Sequence, residues 1–391
     1  MAYTPGSGRS QLIAGPVLHT LASAEGETAG FVTPQKIQAP DIKRRKPVNI
    51  KNSGPLLDRW GRIATDLRIS LTDKCNLRCI YCMPAEGLQW LPKNDLLTAD
   101  EIARLADIAI RELGVEEIRF TGGEPLLRRG LEDIVAAVAQ LRTDQGQVPG
   151  LALTTNALGL EHRAQRLAAA GLQRVNVSLD SLDPQHFRQI THRDRLADVL
   201  AGISAAQAAG LSPLKVNAVI VRGINDTDAG RLLDYCLAIG AELRFIEQMP
   251  IGPPGSWDRA QMVTRDDILE LVGAQHELTP AETEDPSAPA RIWTVDGDPR
   301  QRVGIIASVS EPFCDSCDRT RLTSDGQIRS CLFATQEVDL RRILRSGDEP
   351  RQIEQRIVAA WTAAMWAKPE AHGLDGSRFA VPSRTMSRIG G

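Results

Sequence analysis

Six of the chain's seven cysteines fall into two triplets, Cys75, Cys79, Cys82 and Cys314, Cys317, Cys331. Each set is one thiolate short of the four that close a tetrahedral zinc site or a four-iron cluster. The first lies in Cys75-Asn-Leu-Arg-Cys79-Ile-Tyr-Cys82, a CxxxCxxC loop with no fourth Cys or His at useful spacing. Three thiolates on one tight loop suit three corners of a cubane cluster and leave the fourth iron open to a chelating small molecule. The second set is a CxxC followed, after thirteen residues, by a lone cysteine. Spacing and ligand softness do not separate zinc from an iron–sulfur cluster there. Cys236, inside a helical pattern, reads as a buried apolar residue.

Other groups offer binding chemistry. In Thr121-Gly122-Gly123-Glu124-Pro125 the paired glycines let backbone approach a ligand closely, although Gly-Gly alone also serves as a plain turn. No P-loop is present.

The elements that must position these residues follow a βα rhythm of about thirty residues. Strands are expected at 67–71, 117–121, 151–155, 174–179, 215–221 and 243–247, and helices at 99–113, 131–141, 164–170, 196–209 and 229–239. Gly114, Gly171, Gly210 and Gly240 stand where left-handed C-caps belong. Polar residues gather after each strand, the edge that carries the chemistry of parallel βα barrels. Six units predict an α/β fold, an incomplete (β/α)6 TIM-like barrel over residues 54–250. A Pro-rich junction leads to a C-terminal lobe, 251–391, that would cover the mouth and carry the second cysteine set. Residues 1–53 lack periodicity and read as a flexible extension.

The chain is 42% hydrophobic and 24% charged with a formal net charge of -3, which offers no general attraction to nucleic acid. No apolar run of about 18 residues is present to cross a membrane. Clustered thiols without a disulfide-type pattern place the chain in the cytoplasm.

With Tyr81 before the last cysteine, the first loop resembles that of the radical S-adenosylmethionine enzymes. The resemblance implies that the open iron of a 4Fe-4S cluster on Cys75, Cys79 and Cys82 is chelated by S-adenosylmethionine. Reductive cleavage then gives a 5'-deoxyadenosyl radical that takes a hydrogen from the substrate. Gly122-Gly123-Glu124-Pro125 is similar to the family's GGEP element, and Tyr81, Gly123, Ser178 and Met249 match its S-adenosylmethionine contacts.

Asp315-Ser-Cys317-Asp-Arg319-Thr-Arg321, Cys331 and the terminal Ser387-Arg388-Ile389-Gly390-Gly391 narrow the likeness. From about Leu67 onward the chain resembles the GTP 3',8-cyclases of molybdenum cofactor biosynthesis. That likeness implies a second 4Fe-4S cluster on Cys314, Cys317 and Cys331, its open iron facing the guanine of GTP. It implies GTP contacts at Arg68, Arg119, Thr154, Lys215, Arg319, Thr320 and Arg321, and catalytic roles for Arg319, Arg321, Gly390 and Gly391. It also implies a homodimer, a reductant such as flavodoxin or ferredoxin, and a downstream cyclic pyranopterin monophosphate synthase. Two positions depart from the family pattern: Ala157 and His192 stand where glycines are usual. Residues alone leave open a related radical enzyme acting on a peptide or sugar, and a zinc-stapled binding module.

Overall fold

A computed structural model describes residues 54–283, 285–374, 382 and 384–390. The expected extension at 1–53 lies outside the described residues, as does Gly391. Local signals set the helices. Helix α1 (Ala99–Leu113) starts on a reciprocal capping box between Thr98 and Glu101 and stops at Gly114, whose φ of 70° a side chain would resist. Its Ile102, Leu105, Ile108 and Leu113 recur on one face and are buried. The helices α2 (Leu131–Ala139), α3 (Ala164–Ala169), α5 (Leu196–Ala208) and α6 (Ala229–Ala238) fall where periodicity puts them. Helix α4 (Pro184–Thr191), not expected from apolar spacing, is set by Asp183 as N-cap and Pro184 in the first turn.

The six expected strands are present, in parallel, as β1 (Asp66–Ser70), β2 (Glu117–Thr121), β3 (Gly150–Thr155), β4 (Arg174–Ser178), β5 (Leu214–Val219) and β6 (Glu242–Ile246). The segment after Pro250 does not stand apart from them. It supplies β7 (Leu278–Ala281), β8 (Arg291–Val295), β9 (Asp298–Ile306), β10 (Arg319–Leu322), β11 (Gln327–Arg329) and β12 (Val338–Asp339). The twelve strands form one sheet in the order β12-β11-β10-β1-β2-β3-β4-β5-β6-β9-β8-β7. Strand β9 joins β6 in parallel at one side and β10 joins β1 in parallel at the other. Eight neighbouring strands are therefore parallel, two more than the βα rhythm shows. Phe120, Phe245, Leu67, Ile69 and Cys236 are all in the continuous apolar core. Helix α9 (Pro350–Trp366) adds Trp361, which has no exposed surface.

Ala157 and His192 both adopt left-handed backbone, with φ of 62° and 53°. A side chain there costs about 1–2 kcal/mol. Glycine recovers that cost but adds about 0.4–1 kcal/mol of freedom to the unfolded chain. His192→Gly, at the C-cap of α4, should therefore raise the melting midpoint by about 1–2 °C in a fluorescence melt. Gly202→Ala should lower it, because the new Cβ would sit 2.4 Å from the Ala157 carbonyl oxygen.

Candidate active site

The cysteine loop after β1 is braced from three directions. The GGEP turn after β2 presses against its backbone: Gly123 N–H donates to the Thr72 carbonyl at 2.7 Å, and Glu124 N–H to that of Lys74 at 2.7 Å. A Cβ on Gly122 would lie 2.5 Å from the Thr72 oxygen and one on Gly123 2.4 Å from the Lys74 oxygen, so the closest approach these glycines permit is to the loop itself. The Glu124 carboxylate accepts from Thr155 Oγ1, Asn156 N–H and Leu126 N–H at 2.7–2.9 Å. Burial pushes its pKa up to about 7. Asn156 in turn donates to the Cys75 sulfur at 3.8 Å. From the second direction, the end of α4 accepts Arg78 N–H and Ile80 N–H through the Thr191 and Ile190 carbonyls. From the third, Tyr81 donates its hydroxyl to Asp180 at 2.7 Å, and Asp180 also accepts Val219 N–H. Burial raises the Cys75 thiol to about 11, Cys82 to about 12 and Asp180 to about 6.

The second triplet stands at the other end of the same strands. Cys314 and Cys317 precede β10, and the β10–β11 hairpin returns Cys331 to the same end. Because Arg319 is paired with Asp66, the first residue of β1, the second set sits where β1 begins, while Cys75 follows where it ends. A five-residue strand separates the two by roughly 15 Å. The chemistry is thus not confined to the edge that follows the strands. Burial lifts the Cys314 thiol to about 11. At Cys317 burial acts the same way, but the charges of Lys368 and Arg319 outweigh it and bring the thiol below its ordinary value. All six thiols are half-buried and free of disulfides.

Between the two ends lies a row of guanidiniums. Arg321 pairs with Arg68, and Arg68 with Arg119, at directly opposed positions on β10, β1 and β2. Asp66 lies 3.9 Å from Arg68 and 3.8 Å from Arg119. Burial alone would lift the Asp66 carboxyl, but Arg68, Arg119, Arg319 and Arg321 together hold it below its usual range. The Nε atoms of Arg68, Arg119 and Arg319 are buried without a hydrogen-bond partner, so the wall holds more hydrogen-bond donors than the protein uses. Burial pushes Arg321 down to about 10 and Lys215 down to about 8, where Arg244 adds repulsion and Glu242 opposes it.

One cavity of about 540 Å³ is lined by both triplets, by Arg68, Arg119, Thr154, Lys215, Arg319 and Arg321, and by Tyr81, Gly123, Ser178 and Met249. Thr320 is the correction among the expected contacts. Alternation along β10 turns it to the opposite face, where it is fully buried and accepts a hydrogen bond from the Trp361 indole at 3.0 Å. The terminal segment reaches the row: the Gly390 carbonyl accepts from Arg321 Nη1 at 2.7 Å. Arg384 anchors that segment through Asp325, at 2.9 Å for each of two bonds, and Glu337, at 2.8 Å. Asp66, Asp180, Lys368 and Arg384 were not singled out as site residues by sequence reasoning. Asp66 alone carries a signal, as an acid two residues before a candidate arginine on the same strand face.

A CxxxCxxC loop after one parallel strand, braced by a GGEP turn after the next, defines the radical S-adenosylmethionine class. Residues 69–236 match the family model described as Radical SAM superfamily, and residues 241–374 match that of Molybdenum Cofactor Synthesis C. A GTP 3',8-cyclase of Mycobacterium sp. (strain KMS) is 55% identical over 360 residues, 92% of this chain and 99% of that protein. GTP 3',8-cyclase 2 of Mycobacterium tuberculosis (strain ATCC 25618 / H37Rv) is 55% identical over 348 residues, covering 88% of this chain and 94% of that one. The Streptomyces coelicolor GTP 3',8-cyclase is 55% identical, covering 89% and 99%. The chain belongs to the GTP 3',8-cyclase family.

With Lys215 lining the cavity, its depressed pKa predicts the sign of a pH dependence for polyanion binding. A polyanion favours the protonated ammonium, so its affinity should fall as pH rises through about 8 and its binding near that pH should take up a proton. Calorimetric titration with GTP in buffers of different ionisation heat reads both effects. Lys215→Arg, charged throughout, should remove the fall in that range.

Proposed function

We propose that the chain converts GTP to 3',8-cyclo-7,8-dihydro-GTP, the first step of molybdenum cofactor biosynthesis, with S-adenosylmethionine and two 4Fe-4S clusters. The convergence of two thiol triplets and an Asp66-centred guanidinium row on one cavity carries this assignment. The donor chemistry fits: three free thiols stand at each end of β1. Cys75, Cys79 and Cys82 would hold a cluster that, with S-adenosylmethionine, would supply a 5'-deoxyadenosyl radical for removal of the C3' hydrogen of GTP; closing C3' onto guanine C8 leaves an unpaired electron on the purine, which one further electron and a proton would quench to the 7,8-dihydro product.

The protein's part is placement. Tyr81, Gly123, Ser178 and Met249 would receive S-adenosylmethionine beside the first triplet. Arg68, Arg119, Thr154, Lys215, Arg319 and Arg321 would hold GTP between the triplets, with guanine toward Cys314, Cys317 and Cys331. Phosphate oxygens would satisfy the orphaned guanidinium nitrogens and neutralise the row. Gly390 fixes Arg321 and, with Gly391, completes the catalytic set. Curvature of the parallel strands into an incomplete barrel is supported by the lining itself. Seven intervals of about 4.8 Å would spread β10 and β9 roughly 34 Å apart in a flat sheet, yet Arg321 and Ile306 line the same cavity. On this reading residues 54–250 supply the barrel and 251–391 the strands and cysteines that complete it. Two electrons are required per turnover, one for sulfonium cleavage and one for the cyclised purine radical, and a one-electron donor of the flavodoxin or ferredoxin kind would supply them in turn.

Anaerobically purified protein should hold about eight irons with matching sulfide. With GTP, S-adenosylmethionine and reductant it should release 5'-deoxyadenosine and the cyclised nucleotide. Zinc without sulfide, or neither product from loaded protein, overturns the assignment. Cys75→Ala should abolish S-adenosylmethionine cleavage while about four irons remain. Arg384→Ala removes a partly buried bidentate anchor of the tail. It should reduce turnover about 10- to 100-fold with iron content unchanged; undiminished turnover would show that the tail does not need it.

A further inference from the structure

Lys368, two residues past the end of α9, is 2% exposed. Its ammonium spends three hydrogen bonds at the second cysteine loop: on the Cys317 sulfur at 3.3 Å, the Cys317 carbonyl at 3.0 Å and the Arg319 carbonyl at 3.0 Å. None of these partners is a carboxylate. A buried ammonium needs a compensating negative charge, and of the three acceptors only the sulfur can carry a full one. The segment bearing Lys368 is itself fixed. Trp60 Nε1 donates to the Lys368 carbonyl at 3.1 Å, and Arg62 donates to the Pro369, Glu370 and Cys314 carbonyls at 2.6–2.8 Å. The lysine is therefore held in place on the outer side of the ligand loop, and Cys317 and Arg319, the two residues it grips, both line the cavity.

We propose that Lys368 is a positioning residue of the second cluster, whose ammonium holds the Cys317 ligand at its corner and makes that cluster easier to reduce. The proposal rests on the second-cluster assignment made above. Donors to ligand sulfurs stabilise the more negative, reduced state of a cluster and orient its ligands. A charged donor is stronger than a neutral one. Neither trait is needed of a lysine that merely fills a gap.

The test uses the full chain carrying Cys75→Ala, Cys79→Ala and Cys82→Ala, reconstituted anaerobically, so that any cluster belongs to the second site. Iron and sulfide are counted and the midpoint potential is followed by electron paramagnetic resonance during a mediated reductive titration. Absence of a cluster in this background removes the second-cluster reading and the proposal with it. Given a loaded background, Lys368→Met should shift the midpoint to more negative potential and alter the spectrum, while Lys368→Arg should restore most of the shift. Failure of the Met variant to load while the Arg variant loads normally also supports the role, because charge alone distinguishes them. Full loading of the Met variant with unchanged midpoint and spectrum would overturn it while leaving the cluster reading intact. Loss of loading in both variants would mark Lys368 as a pin for backbone carbonyls and overturn it equally.

Discussion

The structure is organised around an electrostatic conflict: three guanidiniums, those of Arg321, Arg68 and Arg119, occupy directly paired positions on adjacent strands. Strands lie about 4.8 Å apart, and burial acts against the charge of Arg68, as do the charges of Arg321 and Arg119. Asp66 relieves part of this from below the row, at distances nearer 4 Å than hydrogen-bonding contact. The remainder must be borne by the fold. The same strands place Leu67, Ile69, Ile118 and Phe120 on their other face with no exposed surface to speak of, and that burial holds the arginines in register against their repulsion. A polyanion in the cavity removes the conflict, so binding and stability are linked in this wall.

Placing a cysteine triplet at each end of β1 follows from this arrangement. A strand of five residues sets the two triplets roughly 15 Å apart, with the row between them. The braces differ accordingly. At the Cys75 end the braces come from neighbouring βα loops, through Glu124, Asn156 and Asp180. At the Cys317 end distant parts of the chain, Arg62 and Lys368, supply the support.

Much of this was legible in the residues, for reasons that are local. CxxxCxxC and GGEP declare their chemistry by spacing, and Thr98, Glu101 and Gly114 fix α1 to the residue. The strand pairing of β9 and β10 was not legible, because each joins a partner more than fifty residues distant and neither lies in a βα unit. The facing of Thr320 is not legible from the motif Arg319-Thr320-Arg321, because a strand sends alternate residues to opposite sides. Lys368 carries no sequence signal at all: a single lysine after a helix is ordinarily a solvated one.

The terminal glycines acquire a physical rationale from the same wall. Helix α10 (Met386–Ile389) buries Ser387 and Ile389, and Gly390 follows it with φ of 84°. A Cβ at Gly390 would lie 2.8 Å from Ser70 Cβ and 3.2 Å from Thr121 Cγ2, at the ends of β1 and β2 where the cysteine loop and the GGEP turn begin. The tail thus threads between the first-triplet end and the arginine row, a passage only a residue without a side chain can take in that conformation. Its carbonyl then satisfies Arg321, one of the two guanidiniums directly paired in register with Arg68. A neutral acceptor orients that charge without cancelling it, which a terminal side-chain carboxylate in the same place would do.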